Sequence, residues 1–125
     1  MASIDLLTVH ELIEIGEALI SDFRVRDLGS LESAAARPQT TVFGKDAYPS
    51  FAEKAAALMH SIARNHGLID GNKRLAWSAT RTFCLINGYD INLNADVAEK
   101  IVVGVASGEY DVPGLVELLN IRKSK

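Results

Sequence analysis

The 125 residues, 48% hydrophobic and 23% charged, have the makeup of one soluble globular domain spanning 1–125. Such a domain buries roughly two thirds of its unfolded surface without a disulfide or metal staple. A net charge of -3 works against the broad positive field that non-specific nucleic-acid or membrane-surface binding requires, and 6% aromatic content argues against a base-stacking platform. Neither a basic-then-apolar leader nor a bilayer-length apolar run is evident, so no membrane is implicated and the cytoplasm is the expected compartment.

Taken in chain order, Thr8-Val9-His10-Glu11 is a capping box, and Leu12, Ile13, Gly16, Leu19, Ile20 and Phe23 follow at helical spacing. Asp27 caps a second helix over Leu28 to Ala36, which Pro38 stops by disfavouring helical geometry at the residue before it. Pro38 to Pro49 reads as a hairpin-like flap. Thr40, Thr41, Val42 and Phe43 favour an extended chain, and Gly44-Lys45-Asp46 offers the turn. An exposed strand edge there would suit main-chain pairing with another protein; an ordinary surface loop is the equal alternative on these residues alone.

Ser50-Phe51-Ala52-Glu53 is a second capping box, followed by the apolar stripe Phe51, Ala55, Leu58, Met59, Ile62. A fourth helix carries Leu75, Ala76, Ala79, Phe83 and Ile86 and stops at Asn87-Gly88; within it Cys84 reads as a small core hydrophobe. Asn94 caps a fifth helix ending at Ser107-Gly108, and a last one starts near Val112-Pro113 and runs through Ile121. Arg122-Lys123-Ser124-Lys125 reads as a solvated helix end or tail. The fold class is therefore all-α, a bundle of about six helices with a short flap.

The chemistry concentrates in His66-Gly67-Leu68-Ile69-Asp70-Gly71-Asn72-Lys73-Arg74, between the third and fourth helices. Backbone N–H groups at a helix N-terminus form an anion site. An imidazole at His66 suits proton abstraction from a hydroxyl, although a lone histidine there would more simply be a cap or a buried hydrogen-bonded ring. Asp70 is a hard oxygen ligand suited to magnesium, although taken singly it is more readily a helix cap. Gly71 admits close backbone approach, Asn72 either donates to phosphate or fixes the loop, and Lys73 with Arg74 adds two cations. Together they describe a polyphosphate cradle. It is not a P-loop, since Gly-x-x-x-x-Gly-Lys-Ser/Thr and a preceding strand are missing, nor does the chain carry a protein-kinase glycine-rich loop.

These residues resemble the Fic/Doc family, whose motif runs His-x-Phe-x-Asp/Glu-Gly/Ala-Asn-Gly/Lys-Arg. His66, Asp70, Gly71, Asn72, Lys73 and Arg74 match it. Similarity to the Doc branch, the toxins of Phd-Doc toxin-antitoxin pairs, extends over Leu31-Glu32-Ser33-Ala34, Asn87-Gly88 and Val103 to Glu109. The departures are Leu68, where the family places a phenylalanine loop anchor, and Trp77, where the longer motif has a second arginine. Arg64, which adjoins the loop, ranks ahead of Arg24 and Arg81 as the substitute charge.

The resemblance implies a Fic/Doc-type bundle in which His66 is the base, Asp70 holds magnesium, and Gly71, Asn72, Lys73 and Arg74 bind the phosphates of ATP. It implies that Thr40 to Phe43 dock the target protein. AMP-transferring members have glycine after the asparagine; Lys73 fills that space and favours presentation of the γ-phosphate. The expected activity is phosphorylation of a threonine of elongation factor Tu, inhibiting translation, under control of a Phd-type antitoxin. Two other functions fit the same residues: AMP transfer to a protein hydroxyl, and a non-catalytic co-repressor that binds its antitoxin.

Overall fold

The computed structural model describes residues 3–124. Each expected cap closes its helix. Thr8 and Glu11 exchange side-chain and backbone bonds of 3.0 and 3.1 Å at the head of α1 (Val9–Leu19), and Asp27 accepts from Ser30 N at the start of α2 (Leu28–Ala36). A short 3-10 turn, Arg37–Gln39, leads to the flap, in which β1 (Thr41–Val42) pairs antiparallel with β2 (Lys45–Asp46). Ser50 and Glu53 box the start of α3 (Phe51–Asn65), and α4 (Asn72–Ile86) follows the motif loop. β3 (Tyr89–Ile91), α5 (Ala95–Ala106, capped by Asn94), α6 (Val112–Leu119, capped by Asp111) and β4 (Ile121–Lys123) complete the order.

α3 is the central element. Ala55, Ala56, Ala57, Leu58, Met59, Ile62 and Ala63 are buried, and α4 packs along it through Leu75, Ala76, Ala79 and Phe83, which are fully buried. Phe51 stacks on Phe83 at 4.9 Å and on Tyr89 at 4.2 Å, joining the start of α3 to the far end of α4. Small side chains along α3 let its neighbours approach closely, which holds the ends of α3 and α4, and hence the loop between them, in fixed register. Cys84 is buried, and burial pushes its thiol up to about 12, so it packs as a hydrophobe. Among the described residues no helix is long and apolar enough to cross a membrane.

Three boundaries differ from expectation. α1 stops at Leu19, and Phe23 folds back onto Gly16, where a Cβ would lie 2.2 Å from the ring; the helical spacing of Phe23 reflected packing against the helix, not membership of it. α6 ends at Leu119 because Asn120 turns left-handed (φ 50) and exchanges bonds with Asn92. Ile121, Arg122 and Lys123 then pair with Ile91, Asp90 and Tyr89 as an antiparallel strand, so this segment is neither helix nor tail. The turn of the flap falls at Phe43–Gly44 rather than at Gly44 to Asp46. Both have positive φ (51 and 78), the combination that a two-residue hairpin with right-handed strand twist requires. Phe43 thereby leaves the strand and stands fully exposed at the tip, and Thr40 lies outside the ladder with its carbonyl accepting from Ala47 N.

His60, facing the base of the flap from α3, is held below its ordinary value of 6.5 by burial and then by the positive charges of Arg37 and Arg64. A backbone hydrogen bond with Tyr110 and then the charge of Asp111 oppose this to a smaller extent. A histidine that resists protonation in the fold leaves the unfolded chain binding more protons. Stability is therefore expected to fall as pH drops below 6.5 and to lose nothing further from this group once the lower folded value is passed. Urea midpoints taken between about pH 7 and pH 5 should decline more steeply in wild type than in His60→Gln. Equal slopes would remove His60 as the cause.

Candidate functional site

His66 is the residue at which α3 ends. It adopts the left-handed conformation (φ 48, ψ 55) that reverses the chain out of the helix, a position where glycine is the low-energy choice. The backbone is then fixed from the side by the segment between α1 and α2. Arg26 Nε donates to the His66 carbonyl at 3.1 Å, the Gly67 carbonyl accepts from the N–H groups of Arg26 and Asp27, and Ile69 N donates to Arg24 O. Val25 and Leu68 form an antiparallel bridge, so the loop carries a short strand-like pairing that its composition did not announce. The imidazole, by contrast, is exposed.

Leu68 is buried and serves as the anchor of the loop. Asn72 closes the turn around it: its Oδ1 accepts from Leu68 N at 2.9 Å and its Nδ2 donates to Leu68 O at 3.0 Å. Of the two roles open to this amide, fixing the loop is the one its contacts occupy, which leaves the Asn72 backbone N–H to face a ligand. Asp70 Oδ1 accepts from Gly71 N at 2.8 Å. It does not reach the free N–H groups of the first turn; the N-cap is Gly71 (φ 90), with no side chain capping α4. The N-terminal dipole of a fifteen-residue helix is thus open to an anion, flanked by the exposed side chains of Lys73 and Arg74. Neither cation is in an ion pair among the described residues.

Loop and helix end form one side of a cleft of about 890 Å³, within the range of small-molecule sites. His66, Asp70, Gly71, Asn72, Lys73 and Arg74 all line it. Deeper along α4 come Trp77, Ser78 and Arg81; β3 and its exit contribute Ile91 and Leu93, and α5 supplies Ala98, Glu99 and Val102. The cleft therefore has a cationic, dipole-bearing side at the loop and a mixed wall beyond it, in which Ser78, Arg81 and Glu99 stand among apolar side chains. Its α5 wall was not legible beforehand, because residues some thirty positions from the motif reach it only through tertiary packing; small and apolar positions at helical spacing were the only signal.

Two arginines are placed differently from their ranking. Arg64 does not line the cleft; its Nη1 donates to Ala106 O at 3.1 Å, stabilising the carbonyl end of α5, and the guanidinium packs on Gly108. Arg81 does line it, but its guanidinium is held by both carboxylate oxygens of Asp90 at 3.1 and 3.3 Å, and this bond keeps the Asp90 carboxyl below the usual carboxylate value. Arg24 pairs with Asp22. Thr41 and Val42 sit in the flap strand with Thr40 and Phe43 on either side, all exposed.

Among the described residues no group of three or more His, Cys, Asp or Glu side chains gathers into a metal cage. A single carboxylate with one uncommitted oxygen, beside an anion site, fits instead a magnesium ion that takes the rest of its ligands from phosphate and water.

Residues 5–84 match the Fic/DOC family. The chain belongs to that family. It is also 47% identical over 113 residues to Toxin Doc of Mycolicibacterium smegmatis, an alignment covering 89% of this chain and 83% of that protein. The Fic/DOC match takes in α1 to most of α4 and so includes both flap and loop. Against the family pattern, Leu68 keeps the anchor buried with a smaller side chain, while Trp77 places an indole in the cleft where a guanidinium would stand.

Proposed function

We propose that this chain is the toxin of a toxin-antitoxin pair and that it transfers the γ-phosphate of ATP to a threonine hydroxyl of elongation factor Tu. The observation that carries the reading is the convergence on one cleft mouth of an exposed imidazole on a braced backbone and an uncapped helix N-terminus flanked by Lys73 and Arg74. The 47% identity to a protein named Toxin Doc supports the biological role.

In this mechanism the target hydroxyl oxygen attacks the γ-phosphorus while its proton passes to His66, the bond to the bridging oxygen breaks, and ADP leaves. His66 afterwards releases the proton to solvent. The backbone N–H groups of Asn72 to Arg74 and the Lys73 and Arg74 side chains hold the phosphate oxygens, and Arg74 and Lys73 offset charge that builds during transfer. Magnesium, when bound through Asp70, would neutralise phosphate charge. Lys73 occupies the space that an α,β-diphosphate needs in AMP transfer, which favours a nucleotide presented by its γ end. Thr40, Thr41, Val42 and Phe43 dock the target through main chain and the exposed Phe43 ring, and a Phd-type antitoxin restrains the toxin in the bacterial cytoplasm.

Incubating the protein with elongation factor Tu, ATP and magnesium and weighing the product tests the reading. A gain of one phosphate on a threonine is expected. A gain of AMP would replace phosphate transfer with adenylyl transfer, and an unmodified factor in the presence of a growth-arresting toxin would point to another target.

A further inference from the structure

The apolar hold on the flap is confined to its base, where Pro38 is buried and Tyr48 is half-buried against the core. Its strands are two residues each, every residue from Gln39 to Asp46 is exposed, and a hairpin of that size has no independent stability. Beyond that base, what ties it to the body of the protein is a pair of cations reaching in opposite directions. Lys54, in the first turns of α3 and only 7% exposed, sends its Nζ to Pro38 O and to Asp46 Oδ2, both at 3.3 Å, so it grips the incoming and outgoing limbs of the flap together. Arg37, on the incoming limb, reaches back: its Nη1 meets His60 Nδ1 at 2.9 Å and Ser61 Oγ at 3.0 Å on α3, and its Nε donates to the Tyr48 hydroxyl at 3.0 Å on the outgoing limb.

We propose that Lys54 and Arg37 are positioning residues that set the flap, and with it the docked target, at a fixed distance from His66. All three act through α3, which carries Lys54 near its start, His60 and Ser61 near its end, and His66 at its terminus. At about 1.5 Å per residue the helix spaces Lys54 about 18 Å from His66 along its axis and Ser61 about 7.5 Å. A rigid helix between clamp and base turns flap position into hydroxyl position. The choice of lysine supports this. The neighbouring inward positions of α3 are alanine, leucine and methionine, and an unbranched apolar side chain of similar length would fill the space without the desolvation penalty of a buried ammonium. A lysine is needed there for its bonds to the flap.

The inference rests on the transferase reading for its consequence but not for its geometry, and the test separates the two. Lys54→Met and Arg37→Met are compared with wild type by amide hydrogen exchange over residues 40–48 and by steady-state transfer to elongation factor Tu. Both variants are expected to stay folded, with exchange across the flap about tenfold faster and little change elsewhere. The KM for the protein target should rise about tenfold, with the KM for ATP within about twofold, since the variants touch nothing at the phosphate end. A purely structural lysine would leave exchange and target KM unchanged in Lys54→Met. Flap amides that are already unprotected in wild type, or equally protected in all three proteins, overturn the clamp whatever the transfer assay gives. Faster exchange with an unaltered target KM overturns the link from flap to target.

Discussion

His66→Ala is expected to lower the proposed phosphate transfer by about 100- to 10,000-fold, equivalent to about 2.7–5.5 kcal/mol of transition-state stabilisation, without unfolding the protein. The backbone explains why activity and stability should separate. The bonds that hold this corner, from Arg26 Nε to the His66 carbonyl and from Arg26 and Asp27 to Gly67, are made to main chain and survive any side chain at 66. The imidazole itself is exposed and outside the core. Because φ is 48, a β-carbon at this position is under strain, and His66→Gly is expected to stabilise the protein by roughly 1 kcal/mol while removing activity as completely as alanine does. A residue whose replacement improves the fold and abolishes the output is retained for chemistry. Purified proteins should be compared by denaturant midpoint and by rate of transfer. Undiminished transfer or growth arrest with His66→Gly would sink the assignment of the base, and a loss of stability would show that the ring supports the loop.

The separation between what could and could not be read in advance follows from range. Caps are local: Thr8 with Glu11, Ser50 with Glu53, and Asn94 with Val97 lie within one turn, and each forms as its spacing dictates. The motif is local too, so seven of its nine residues meet at one cleft because they are consecutive positions of chain bent over one helix end. Strand β4 failed to show because Ile121 continues the apolar spacing of α6; only the left-handed turn at Asn120 and the distant partners Tyr89 to Ile91 decide otherwise. Arg64 was misplaced for the opposite reason. Proximity in sequence suggested the loop, yet a side chain two residues before a helix end points where the helix turn sends it, in this case to the carbonyl of Ala106. Arg26, which braces His66 from forty residues away, left no trace in the pattern.

Gly71→Ala is expected to be the most damaging single-methyl change in the loop. Two costs coincide there. The residue has φ 90, and an added Cβ would lie 2.4 Å from Ile20 Cδ1 and 3.0 Å from Ile20 Cγ1, in a side chain that is itself buried. Strain of about 1–3 kcal/mol and overpacking of similar size together predict a loss of about 2–6 kcal/mol. Gly88→Ala isolates the first cost, since its φ is 81 and nothing lies within 4 Å of the new atom. Ile20→Val addresses the second by deleting the methyl that clashes. In the double variant Ile20→Val with Gly71→Ala, stability should exceed the sum of the single effects by about 1 kcal/mol, a coupling that thermal or denaturant unfolding of the four proteins reads directly. Additive effects would mean that the loop moves away from α1 instead of pressing on it. The functional consequence differs between the two outcomes. If Ile20 resists, the first turn of α4 is displaced from the cleft mouth, the N–H groups of Asn72 to Arg74 lose their aim, and ATP affinity should fall with Gly71→Ala and return in part with Ile20→Val. The close packing of a helix-start glycine on the end of α1 would then be what keeps the anion site in register with His66.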